Sequence, residues 1–130
     1  MIQTIETERL SIRRIRAEDW KDIQAIWVSA AKSVYSQYDR PNDLDDDSVQ
    51  TRVAGLDLLA ESDAHIFLAI CLKNRVIGYF SLNSRGEGYE LGYCFHSDFH
   101  GKGYARESLR AVLRFLRDWG VPFVEAGTAL

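Results

Sequence analysis

Long apolar runs are missing from this 130-residue chain, and so is any surplus of positive charge. The longest uncharged apolar run covers residues 66–72, far short of the ~20 residues that cross a bilayer, so no membrane partner is expected. Glu6, Glu8 and Arg9 arrive soon after Met1, so no secretory signal is expected. Sixteen basic residues against nineteen acidic ones give a net charge of −3, the wrong sign for a general nucleic-acid binder. Cysteine occurs only twice, as Cys71 and Cys94, each inside an apolar strand-like run. That placement predicts reduced core residues, with neither disulfide nor metal site, and a cytoplasmic address. Repeats and low-complexity tracts are absent. What is present, 46% hydrophobic, 12% aromatic and 27% charged residues, suits one soluble globular domain over residues 1–130 and excludes disorder.

Two prolines and nine glycines leave few breaks, so each break is informative. Residues 9–15 alternate as a first strand. Trp20, Ile23, Ile26 and Trp27 fall at helical spacing and predict a helix over 17–31. Val49, Val53, Leu56 and Leu59 predict a second over 46–62, and Asp43, Asp45, Asp46 and Asp47 before it read as a loop ending in an N-cap. Runs 65–72 and 76–83 form a hairpin about Lys73-Asn74-Arg75, a glycine turn follows, and 89–96 is a third β-rich run. Ala105, Leu109, Val112, Leu113, Leu116 and Trp119 predict a long helix over 103–119, stopped by Gly120. A last strand over 121–126 completes the order β-α-α-β-β-β-α-β. An antiparallel meander followed by a strand–helix–strand unit predicts a mixed α/β sheet, its last strand parallel to 89–96.

The chemistry concentrates between Tyr89 and Arg106, where a strand runs into His100-Gly101-Lys102-Gly103-Tyr104-Ala105 and opens the long helix. Glycines permit a sharp turn and close approach of a ligand to the backbone. The first N–H groups of a helix lack intrahelical partners, and with the helix dipole they make an anion pocket suited to phosphate or pyrophosphate. Lys102 and Arg106 flank it; Arg110, Arg114 and Arg117 continue as a solvated stripe. A Walker loop needs Ser or Thr after its lysine, but Gly103 follows Lys102. A dinucleotide fingerprint, Gly101-Lys102-Gly103-Tyr104-Ala105-Arg106, has Arg106 where a small residue belongs, yet Glu125 near the acidic position keeps it as an alternative.

The third candidate is the acyl-CoA pyrophosphate loop, Gln/Arg-x-x-Gly-x-Gly/Ala. His100 stands at its first position and Gly103 and Ala105 at the small ones, so the segment resembles the GNAT acetyltransferase superfamily. Thr7-Glu8-Arg9-Leu10-Ser11-Ile12-Arg13, Glu90-Leu91-Gly92-Tyr93 and Ala126-Gly127-Thr128-Ala129-Leu130 resemble its ribosomal-protein N-terminal acetyltransferase branch, in matching order along the chain. The resemblance implies a GNAT-like fold and direct transfer of an acetyl group from acetyl-CoA to a primary amine, a protein N-terminus or a small molecule, without a metal. It implies that the pantetheine arm pairs with the backbone of Tyr93, Cys94 and Phe95. The pyrophosphate would rest on His100, Gly101, Lys102, Gly103, Tyr104, Ala105 and Arg106, and an N–H near Phe95 would polarise the thioester carbonyl. An attacking amine must be neutral, and α-amines titrate at ~7.7–8, so a base assists; Glu90 is the first candidate and His96 the second. Trp27, Tyr35 and Tyr38 are candidates for shaping an acceptor pocket. Family members continue past the last strand with a helix and two strands, so the reading expects a C-terminally truncated domain with an open edge that favours self-association. A catalytically weak acyl-CoA-binding or interaction module is the alternative of a different class.

Overall fold

The computed structural model describes residues 4–31, 44–59 and 64–126. One six-stranded sheet runs in chain order: β1 (Ile5–Glu6), β2 (Ser11–Arg14), β3 (His65–Leu72), β4 (Arg75–Arg85), β5 (Gly88–Phe95) and β6 (Val124–Ala126). Every pairing is antiparallel except β5 with β6, which is parallel as the order of elements predicts. The helices are α1 (Trp20–Ala30), α2 (Asp46–Leu59) and α3 (Tyr104–Asp118). This is the mixed α/β architecture expected of a GNAT fold.

Strand alternation divides the core into two layers. On one face Ile66, Leu68, Ile70, Phe80, Leu82, Leu91 and Phe95 pack with Val112 and Leu116 of α3. On the other, Ala69, Cys71 and Val76 meet Ile23, Ile26 and Trp27 of α1 and Val49 and Val53 of α2. Only part of the expected α3 stripe is buried: Leu113 and Trp119 stay more than a third exposed, while Ser108 is buried with its hydroxyl donating to the Tyr104 and Ala105 carbonyls. Trp27 is core, its indole N–H donating to the Tyr79 hydroxyl at 3.0 Å. Tyr35 and Tyr38 lie outside the described residues.

Differences from the expected boundaries have local causes. Residues 17–19 form a 3-10 turn before α1, with the Arg16 N–H donating to the Asp19 carboxylate that also pairs with Arg13. An additional short strand, β1, precedes the expected first one. The hairpin between β3 and β4 turns on Lys73 and Asn74 alone, Lys73 taking a φ of 57°. β6 begins at Val124, not 121, because the Val121 N–H is held by the Leu116 carbonyl at the end of α3 (3.0 Å). Asp45 caps α2 as its sequence suggests, its carboxylate accepting the Ser48 N–H at 3.1 Å.

Candidate active site

Two hydrogen bonds set which way the backbone of β5 faces. The Tyr89 N–H donates to the Phe123 carbonyl (3.2 Å), toward β6, and the His96 N–H donates to the Ile77 carbonyl (2.9 Å), toward β4. Backbone direction alternates along a strand. Leu91, Tyr93 and Phe95 therefore present N–H and C=O groups to the β6 side, and Cys94 turns its own to Tyr79 in β4. The ladder with β6 joins Tyr89, Glu90 and Leu91 to Val124, Glu125 and Ala126. Beyond it, Tyr93 and Phe95 offer their backbone to no strand among the described residues. Of the three residues expected to receive a pantetheine arm through the backbone, Cys94 has its polar groups turned to β4 and Phe95 has its carbonyl taken by His100.

This edge leads into the glycine turn. His100 folds back so that its Nε2 donates to the Phe95 carbonyl at 2.9 Å, using the first position of the motif to tie turn to strand. Gly101 and Gly103 take φ values of 73° and 83°, left-handed conformations that disfavour other residues. Gly103 is the N-cap of α3 and has no side chain with which to cap it. The Glu107 N–H donates to the Gly103 carbonyl (3.0 Å), so the N–H groups of Tyr104, Ala105 and Arg106 precede the first intrahelical bond. Lys102 and Arg106 supply positive charge around them, and the Lys102 ammonium lies 5.8 Å from the centre of the Phe99 ring. A strand edge whose Tyr93 N–H and C=O and Phe95 N–H meet no strand among the described residues, continued by an uncapped helix N-terminus, fits the amide-bearing arm and the pyrophosphate of a CoA thioester.

The base candidates separate. Glu90 sits beside the β6 ladder, its carboxylate paired with Arg85, which also approaches Glu125 at 3.8 Å. His96 lies at the other end of the strand, six residues or ~20 Å away at the usual rise. Its Nδ1 accepts the Asp98 N–H at 3.1 Å and its ring packs edge-on against Phe99. His96 thus caps the short 3-10 turn Ser97–Phe99, and the two cannot serve one acetyl group. On the same face as Glu90, burial pushes the Cys94 thiol up to about 11 and the Tyr79 phenol up to about 12, and both stay neutral near pH 7.

Residues that spacing does not single out brace the turn from outside. Glu107 accepts from the Thr7 hydroxyl (2.5 Å), the Arg9 N–H (2.8 Å) and the Arg9 Nε (2.7 Å). Burial works against the Glu107 charge, yet these donors together hold its carboxyl below the usual range. The one signal was the opening Thr7-Glu8-Arg9-Leu10, noted for its resemblance; nothing in the sequence links it to a helix almost a hundred residues on.

A parallel strand pair at the end of an antiparallel meander, joined by a glycine turn and a helix, is the arrangement of a GNAT-type domain and not of a doubly wound dinucleotide fold. The acetyltransferase (GNAT) domain family matches residues 9–130, and the chain belongs to that family. Among curated proteins none matches the sequence. Similar solved structures include the Salmonella typhimurium acetyltransferase that modifies the N-terminal serine of 50S ribosomal subunit protein L7/L12, at 19% identity and a TM-score of 0.77, covering 92% of this chain and 70% of that one. The Vibrio fischeri ribosomal-protein-S5-alanine acetyltransferase gives 17% identity and a TM-score of 0.79, over 96% of this chain and 73% of that one. RimL, a ribosomal L7/L12 alpha-N-protein acetyltransferase in complex with coenzyme A, gives 19% and 0.75, over 91% and 70%. At these identities the likeness concerns the fold. No helix among the described residues is long and apolar enough to cross a membrane.

Proposed function

We propose that this chain transfers an acetyl group from acetyl-CoA to a primary amine. The observation that carries the reading is the continuity of the Tyr93 and Phe95 backbone edge with the uncapped N-terminus of α3. In this reading the edge pairs with the pantetheine amides and the N–H groups from Gly101 to Arg106 take the pyrophosphate. The Tyr93 N–H, the first donor past the β6 ladder, joins the Phe95 N–H as a candidate for the thioester oxygen. Glu90 takes the proton that the attacking amine loses, directly or through water, as the C–N bond forms and the C–S bond breaks, and CoA leaves as a thiolate that takes up a proton from solvent. His96 has no chemical part.

The acceptor favoured is a protein N-terminal α-amine, supported by the opening and strand motifs and by the substrates named for similar structures. An α-amine is partly neutral near pH 7.5, where a lysine amine is almost wholly protonated, so one carboxylate base suffices for it. Calorimetric titration with acetyl-CoA, CoA and NAD tests the cofactor class, and acetylation of a library of peptides and small amines tests the acceptor. Binding of NAD without CoA would overturn the reading.

A further inference from the structure

Arg9 engages the side of the glycine turn that faces the N-terminal strands. Thr7 and Leu10 close a tight turn, the Thr7 N–H donating to the Leu10 carbonyl (2.8 Å) and the Leu10 N–H to the Thr7 hydroxyl (3.0 Å). Arg9 at its tip spreads its guanidinium over the start of α3. Nε donates to Glu107 and Nη1 to the Lys102 carbonyl at 3.1 Å. The guanidinium carbon lies 4.4 Å from the centre of the Tyr104 ring, and a Cβ on Gly103 would stand 3.3 Å from Nη2.

Lys102 lies between two glycines of positive φ, the place where a peptide plane rotates most freely. The carbonyl of Lys102 and the N–H of Gly103 belong to one planar trans peptide and point in opposite directions. Holding that carbonyl on Arg9 therefore fixes the direction of the Gly103 N–H, a donor at the mouth of the anion pocket. Glu107 neutralises the Arg9 charge where it stands, so attraction at a distance explains little of the arrangement. An isolated exposed ion pair contributes little stability either. What the fork supplies is geometry.

We propose that Arg9 is a positioning residue for acetyl-CoA, locking the Lys102–Gly103 peptide in its anion-receiving orientation while Glu107 locks Arg9. The inference rests on the acetyl-CoA reading above. It gives the N-terminal segment a share in cofactor recognition although that segment need touch no ligand atom.

Charge and geometry predict opposite results. Arg9→Lys keeps the charge but cannot reach Glu107 and the Lys102 carbonyl together. Glu107→Gln, nearly isosteric, removes the negative charge beside the pocket and with it the strongest hold on Arg9. Affinity for acetyl-CoA is measured calorimetrically for wild type and both variants, with melting temperatures alongside. Turnover is measured at saturating amine with acetyl-CoA and with S-acetylpantetheine, which lacks the pyrophosphate. The expected result is that each variant weakens acetyl-CoA binding about tenfold, the scale of one lost charge-assisted hydrogen bond. kcat at saturating acetyl-CoA and kcat/KM for S-acetylpantetheine stay at wild-type values. Arg9→Lys binding like wild type, Glu107→Gln binding more tightly, or an equal loss with S-acetylpantetheine would each overturn the proposal. A wild-type protein that takes up no acetyl-CoA would overturn the acetyl-CoA reading itself, a result distinct from all three.

Discussion

Gly103→Ala perturbs the turn at the point where conformation and ligand approach coincide. At φ 83° an alanine bears the left-handed strain of ~1–2 kcal/mol. Its Cβ stands 3.3 Å from Arg9 Nη2, so the guanidinium must yield by a few tenths of an ångström or the turn must shift. For a domain of this size the strain lowers the melting temperature by ~3–10 °C. If the shift costs one hydrogen bond to a phosphate, ~1.5–3 kcal/mol, the dissociation constant for acetyl-CoA rises ~10–150-fold. Gly120→Ala is the control. It too has a positive φ, 91°, but sits past the far end of α3 with no atom within 4 Å of the added Cβ. Calorimetric titration and thermal melts on both variants separate the effects: similar losses of stability, and loss of affinity in Gly103→Ala alone. Wild-type affinity in a folded Gly103→Ala protein, or an equal affinity loss in Gly120→Ala, would refute the reasoning.

Glu90→Gln lowers turnover, most at the acid end where the amine is protonated, and leaves acetyl-CoA affinity unchanged; a wild-type rate profile over about pH 6–9 would make Glu90 a structural partner of Arg85. Gly78→Ala drives a Cβ into the Phe95 ring, an overpacking that costs ~1–3 kcal/mol in a thermal melt and disturbs the same strand edge, so KM for acetyl-CoA rises as well. Cys94, its thiol pushed up to about 11 by burial, stays unlabelled by a thiol reagent at about pH 8 until the chain unfolds. Because the folded value lies above the unfolded one near 9, that stabilisation is complete below pH 9 and is lost as pH climbs through 11; Cys94→Ser removes this alkaline loss.

Much of the fold is legible in residue periodicity because its elements bury one face each. The stripe containing Val112 and Leu116 places α3, and the alternation around Ile66, Leu68 and Ile70 places β3. The glycine turn is legible too, since Gly101 and Gly103 both take the conformations that glycine favours. Four features were not. The start of β6 depends on the Val121 N–H turning back to the Leu116 carbonyl and on how closely Phe123 packs over Gly88, a tertiary contact. Which of Tyr93, Cys94 and Phe95 turns its backbone outward depends on the phase of the β4 ladder, and a shift of one residue would reverse it. The cap that His96 makes was not legible, because a strand-end histidine reads alike whether it caps a turn or takes a proton; its Nδ1 accepts the Asp98 N–H. The Arg9–Glu107 brace joins segments with no local pattern in common.

The central claim is that acetyl-CoA lies along the outer edge of β5 with its pyrophosphate at the start of α3. Amide hydrogen exchange, followed by NMR with and without acetyl-CoA, tests it residue by residue. The account predicts new protection at the Tyr93 and Phe95 amides and from Gly103 to Arg106. Cys94 and His96, already bonded to β4, should change little. Tight binding of acetyl-CoA with no change at Tyr93, Phe95 or the α3 N-terminus would contradict it.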